Sequence, residues 1–100
     1  MKEYVSEVKR YPFAKPNGVF KPLSEIRQIT VKGKPIYLFD AVDVKTNQNV
    51  TVSFSSKRLL GILNQVRLDF NGLTSVKRLE IRRELGKESL FDTKYYVKAE

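Results

Sequence analysis

The sequence predicts a mainly β protein: a five-stranded barrel with one short helix between its third and fourth strands. Three β-like runs, one helix-like run and two further β-like runs follow one another from Leu23 to Lys98, separated by turn residues. The chain has 100 residues, which suits one domain with one modest core. A small antiparallel sheet of that size removes its exposed edges most completely by closing on itself.

Residues 1–18 read as a partly ordered N-terminal arm, and residues 19–100 as the barrel domain. The arm holds Pro12, Pro16 and Gly18 and has no clean period, apart from a weak helical spacing of Val5 and Val8. Its Tyr11-Pro12-Phe13 segment can dock on the domain or reach a partner. The first strand falls within Phe20–Val31. Leu23, Ile29 and Val31 share one parity and Ile26 takes the other, which fits a bulged or strongly bent strand. Lys32-Gly33-Lys34-Pro35 is a turn. In the second strand, Ile36–Val44, the aliphatic series Ile36, Leu38, Val42 and Val44 is the expected core face, interrupted by Asp40. Tyr37, Phe39, Ala41 and Asp43 then point outward. Lys45–Asn49 is a five-residue polar turn, making an antiparallel hairpin with the third strand, Val50–Ser56. There Val50, Val52 and Phe54 face inward, while Thr51, Ser53 and Ser55 face outward.

Ser55 or Ser56 can cap the helix that follows. Leu59, Ile62, Leu63 and Val66 recur at helical spacing, with Leu60 widening the stripe. Gly61 weakens this helix by about 1 kcal/mol relative to Ala, and Asn71-Gly72 ends it. The fourth strand, Ser75–Glu84, sets Val76, Leu79 and Ile81 among Lys77, Arg78, Arg82 and Arg83. Leu85–Ser89 is a turn. The fifth strand, Leu90–Ala99, puts Phe91, Thr93, Tyr95 and Val97 on one face and Asp92, Lys94, Tyr96 and Lys98 on the other.

The absence of cysteine and histidine excludes disulfides, thiolate catalysis, Ser-His-Asp chemistry and Cys- or His-ligated metal. There is no glycine-rich phosphate loop, and Asp40 and Asp43 have opposite strand parity, so no carboxylate pair forms. The expectation is therefore a non-enzyme with no cofactor and no metal. No apolar run approaches the roughly 18 residues of a membrane span, and Met1–Glu7 lacks the apolar stretch of a signal peptide. This predicts an intracellular, cytoplasmic protein, in which Asn49-Val50-Thr51 is turn and strand and not a glycan acceptor. Nineteen Lys and Arg against 11 Asp and Glu give a net charge of +8, which favours a polyanionic partner.

Two outward aromatics on strand two would need a cover, and bases stack on such side chains for roughly 1–3 kcal/mol each. Tyr37 and Phe39 are therefore the expected stacking pair. Thr51, Ser53 and Ser55 are the small hydrogen-bonding neighbours. Arg27, Lys32, Lys34, Lys57 and Arg58, which have few acidic neighbours, are the expected phosphate ligands. Strand-four cations are interleaved with Glu80, Glu84, Glu88 and Asp92 and suit cross-strand pairing.

Ile36–Asp43, Val50–Ser56, the short helix, Val76–Ile81 and Tyr95–Val97 together resemble the compact OB-fold single-stranded DNA-binding proteins of phages, archaeal viruses and plasmids. The resemblance covers residues 18–100 and is one of pattern. It implies that the helix plugs the barrel base and that strands two and three form the binding face. The implied function is binding of single-stranded DNA with little sequence preference, in replication or recombination of a mobile element, and in the host cytoplasm if the element is viral. The chain departs from many such proteins in having no tryptophan and no long acidic or glycine-rich tail. RNA or duplex binding through the strand-four arginines is a related expectation, and a two-fold dimer would lengthen the binding path. The alternative from another class is a protein-interaction module that docks through Tyr37, Phe39 and the arm.

Overall fold

In the computed structural model, which describes residues 11–84 and 93–100, seven strands and one α-helix form. The strands are β1 (Phe13–Ala14), β2 (Gly18–Pro22), β3 (Arg27–Val31), β4 (Lys34–Asp43), β5 (Gln48–Phe54), β6 (Leu79–Glu84) and β7 (Lys94–Ala99). Helix α1 (Lys57–Asp69) and a 3-10 turn (Leu73–Ser75) lie between β5 and β6. The expected helical spacing of Val5 and Val8, and the expected turn and strand positions from Leu85 to Asp92, lie outside the described residues.

The mainly β class with one helix is what the structure has, but two details differ. Among the described residues there are seven strands instead of five. The expected first strand is split by Leu23–Ile26 into β2 and β3, and the arm contributes β1. The sheet is also open rather than a closed barrel. Its order is β1-β5-β4-β2-β6-β7, with β3 paired to β4, and among the described residues no ladder joins β5 or β1 to β7.

The split follows from the length of β4. Its ten residues outrun any one partner on that edge. β3 pairs antiparallel with residues 34–38 of β4, and β2 with residues 41–43. β2 turns away to pair its other edge with β6, so Phe20 faces Asp43 on one side and Leu79 on the other. Polar contacts hold the bend between the two halves. The Leu23 amide donates to the Asp40 carbonyl at 2.7 Å, and the Asp40 amide donates to Ser24 Oγ at 2.9 Å.

Turn chemistry sets the registers. Lys32-Gly33 joins β3 to β4 with both φ values positive (51° and 76°), the two-residue hairpin turn whose twist matches the strands. Gly33 adopts that backbone without strain, whereas Lys32 does so against its side chain. Between β4 and β5 the Lys45 amide donates to Asp43 Oδ1 and the Asn47 amide to the Asp43 carbonyl, with Asn47 at φ 58°. The resulting loop is the four residues Val44–Asn47, because Asp43 pairs with Gln48.

That loop corrects the expected facing of strand two. A five-residue turn would have set Val44 opposite Val50 and put the aliphatic series inside. The observed register instead sets Phe39 opposite Val52 and Tyr37 opposite Phe54, and a one-residue change of this kind moves every side chain to the other face. Phe39 is fully buried, Ala41 is buried, and Tyr37 is 8% exposed with its ring 5.7 Å from that of Phe54. Val44 is exposed, and Ile36 and Val42 are half-buried on the opposite face.

The core gathers Phe20, Tyr37, Phe39, Val50, Val52 and Phe54 from the sheet with Leu59 and Leu63 from α1. Leu73, Val76, Leu79 and Ile81 complete it on the way into and along β6. Ser56 caps α1 by accepting the Leu59 amide at 3.2 Å. The helix ends in a Schellman motif: the Gly72 amide donates to the Arg67 carbonyl and the Asn71 amide to that of Leu68, with Asn71 left-handed at φ 59°. On β7, Tyr95, Val97 and Ala99 pack on the core while Lys94, Tyr96 and Lys98 are exposed, the expected alternation. No described helix is long and apolar enough to cross a membrane.

The register makes a direct prediction. Phe39→Ala should cost about 3–5 kcal/mol, the usual range for emptying a core phenylalanine site. Ile36→Thr, on the other face, should cost no more than about 1 kcal/mol. Urea unfolding of the two variants measures both, and the reverse order would put the aliphatic series back in the core.

Candidate nucleic-acid interface

A cleft of about 480 Å³ opens where β5 and β7 fail to join. Its walls come from three parts of the chain: Ser53–Ser56 and Arg58 at the β5-to-α1 connection, Arg83, Thr93 and Tyr95 at the ends of β6 and β7, and Lys15 and Pro16 from the arm. Three cations, four hydroxyl-bearing residues (Ser53, Ser55, Ser56, Thr93) and a tyrosine line it, with no carboxylate among them.

The strand pattern explains why Arg83 is there. Along β6 the inward series is Leu79, Ile81 and Arg83, facing Ala99, Val97 and Tyr95 on β7. Leu79 and Ile81 are buried in the core. Arg83 is the next inward position, at the open end, so an arginine stands on the core side of the sheet. Its Nε is buried with no hydrogen-bond partner among the described residues, while its backbone amide donates to Asn17 Oδ1 at 3.2 Å. A guanidinium in that place carries a desolvation cost that an anion in the cleft would offset. Among the described residues one ion pair lies within 4 Å, Arg27 with Asp40, so Lys15, Arg58 and Arg83 have no carboxylate within that distance among those residues, while Asp43 shares an adjoining pocket with Lys15 and Arg83.

Lys57 and Arg58 begin α1, and its first turn holds no acidic residue. Basic side chains are unfavourable at the positive end of a helix dipole. The sequence keeps two there, both exposed at the border of the cleft.

Of the expected ligands, the structure brings Ser53 and Arg58 together in the cleft, with Lys57 beside them. Lys32 and Lys34 are exposed at the β3–β4 tip. Lys34 lies three residues, about 10 Å of strand, beyond the Tyr37–Phe54 row, toward the end of the ladder from which Ser55 leaves. The stacking pair is corrected: Tyr37 and Phe39 are core residues and offer no platform. Thr51 is buried and donates its hydroxyl to Asp40 Oδ1 at 3.2 Å. Arg27 is tied up in a two-pronged contact with Asp40, at 3.1 and 3.2 Å, and also reaches Ser24 Oγ. These contacts make a polar network on the outer face of β4, at the strand bend.

Two carboxyls carry that scaffold. The Arg27 hydrogen bonds hold the Asp40 carboxyl below its ordinary range against a partial opposing effect of burial, and Thr51 adds to the lowering. Burial pushes Glu25 up, but donation from the Leu73 and Thr74 amides at 2.8 and 2.9 Å outweighs it, and Glu25 also ends below its ordinary range. Glu25 thereby ties the β2–β3 link to the 3-10 turn.

The outer face of β6–β7 is balanced by contrast. Glu80 stands opposite Lys98 and Glu84 opposite Lys94, and the Arg82 guanidinium lies 4.7 Å from the centre of the Tyr96 ring. The strand-four acids thus face lysines in the register, but the cations Arg82 and Arg83 face Tyr96 and Tyr95, and among the described residues no ion pair within 4 Å joins the two strands; Glu88 and Asp92 lie outside the described residues. Among the described residues no cluster of three metal-ligating side chains occurs. Ser55, expected to donate hydrogen bonds, also lines the cleft, whereas Lys15, Arg83, Ser56 and Tyr95 are not among the expected ligands. The signal for Arg83 was its place two residues after Ile81 in the inward series, with Tyr95 two residues before Val97.

Comparison with known proteins returns no match among family models, curated proteins or solved structures.

The carboxyl geometry predicts the acid response. Both groups are lowered in the folded state, so their stabilisation is complete above the ordinary carboxylate range and is lost as pH falls through it. Glu25→Gln should therefore narrow the gap between urea midpoints at pH 7 and pH 3 relative to the unaltered protein. An unchanged gap would mean that the Glu25 contacts contribute nothing in solution.

Proposed function

We propose that this protein binds single-stranded DNA, with little sequence preference, in the cleft between β5 and β7. The observation that carries the reading is the lining: three cations with no ion pair within 4 Å among the described residues, hydroxyl donors and a half-buried tyrosine in one cleft, in a chain of net charge +8. Phosphates take the cations and release their counterions, and Tyr95 offers an aromatic face to a base. Lys57, Lys32 and Lys34 extend the positive rim. The cleft is walled by the β5-to-α1 connection, the ends of β6 and β7 and the arm instead of being one sheet face, which suits a flexible strand better than a stiff duplex.

The fold reading is an OB-type arrangement left unsealed. Its support is the strand pairing. A bent first strand (β2 and β3) pairs with β4 and with β6, β4 and β5 form a hairpin, a helix intervenes, and β6 and β7 form a second hairpin. The unsealed edge is where the cleft lies.

The test is fluorescence anisotropy of a labelled oligo-dT at two salt concentrations, with a matched duplex and an oligo-rU as competitors. Binding should prefer the DNA single strand and weaken steeply with salt, with a log–log slope of about −0.7 for each phosphate contacted. Arg58→Ala and Arg83→Ala should each weaken binding at least five-fold and flatten that slope. Lys45→Ala, at the far end of β5 some 20 Å of strand away, should leave both unchanged. Salt-insensitive binding, or equal loss from Lys45→Ala, would overturn the reading.

A further inference from the structure

The aromatic platform expected on strand two is absent there, yet Phe13 stands on the outer face of the sheet beside β5. Phe13 is 74% exposed, the most exposed of the large apolar side chains among the described residues. It is not on a loose tail. β1 pairs in parallel with β5, setting Phe13 beside Thr51 and Ala14 beside Val52, and the Thr51 amide donates to the Pro12 carbonyl at 2.9 Å. Val52 is in the core and Ala14 packs against it. The alternation of the strand therefore places Phe13 on the opposite face, the one that Thr51 and Ser53 share.

A backbone pinned on both sides of an exposed phenylalanine is an arrangement that folding alone does not require. The ring gains nothing from the core, and leaving it wet forgoes the free energy of its burial. Its neighbours say what would cover it. Lys15, two residues on, lines the cationic cleft, and so does Ser53, two residues along β5 from Thr51. Two residues of strand are about 7 Å, so the ring stands about one nucleotide step from cationic side chains that form no ion pair within 4 Å among the described residues. An apolar protein surface would leave those cations uncompensated, whereas a nucleotide supplies both the flat ring and the negative charge.

We infer that Phe13 is a base-stacking residue, taking the base of a nucleotide whose neighbouring phosphate lies against Lys15 in the cleft. The inference rests on the strand-binding reading and adds the residue that gives it affinity beyond charge. It also gives the arm a role, since β1 carries both Phe13 and the approach to Lys15.

The chain has no tryptophan, so Phe13→Trp creates a single emitter at the site. With oligo-dT, this variant should bind as the unaltered protein does and its tryptophan emission should be quenched as thymine stacks on it. Phe13→Ala should keep the urea midpoint but weaken oligo-dT roughly five-fold or more, the range expected for losing one stacked base. The loss should persist at high salt, unlike that of a phosphate ligand. Unquenched Phe13→Trp in a saturated complex, or undiminished affinity of a folded Phe13→Ala, would overturn the role of Phe13 alone. Absence of oligo-dT binding by the unaltered protein would overturn the strand-binding reading and this inference together.

Discussion

Everything else in this structure depends on the ladder between β4 and β5. The four-residue turn held by Asp43 and Asn47 sets Phe39 against Val52 and Tyr37 against Phe54. These pairs decide which face of the sheet is dry. With the aromatic series inside, Leu59 and Leu63 of α1 have a surface to pack on, and β6 can bring Leu79 and Ile81 to the same core. One more residue in the turn would exchange the two faces, and the aromatic core would become the wet surface.

The second constraint is the bend between β2 and β3. Ten residues of β4 are shared between two partners, and the polar network of Ser24, Arg27, Asp40 and Thr51 fastens the junction on the outer face. The network spends the charge of Arg27 on the scaffold. Beyond the bend, β2 hands the sheet on to β6 and β7, which curve round without meeting β5. The unmet edge leaves Arg83 and Tyr95, the last inward pair of β6 and β7, beside the hydroxyls of Ser53 to Ser56. Basic side chains at the start of α1 complete a surface in which local stability gives way to positive charge.

Much of the fold was legible because the turns carry their own chemistry. Lys32-Gly33, the Ser56 cap and Asn71-Gly72 each mark an element boundary that the structure keeps, and the bend in the first strand was visible in the clash of parity between Ile26 and Ile29. The face of strand two was not legible, since both of its faces are apolar and only the turn length separates them. The mid-strand Asp40, tolerable on the outer face and costly within, was the residue that could have decided it. The binding residues were harder still. Arg58 and Ser53 declared themselves by type, but Lys15, Arg83 and Phe13 become neighbours of the cleft only through pairings distant in sequence.

The most direct measurement is a backbone-amide NMR titration with oligo-dT, following each residue as the strand is added. The account predicts the largest shifts at Ser53–Arg58, Arg83 and Tyr95, with Phe13 and Lys15 beside them, and none at the Val44–Asn47 turn. Shifts centred instead on β3 or on the outer face of β6–β7, with the cleft residues unmoved, would contradict it.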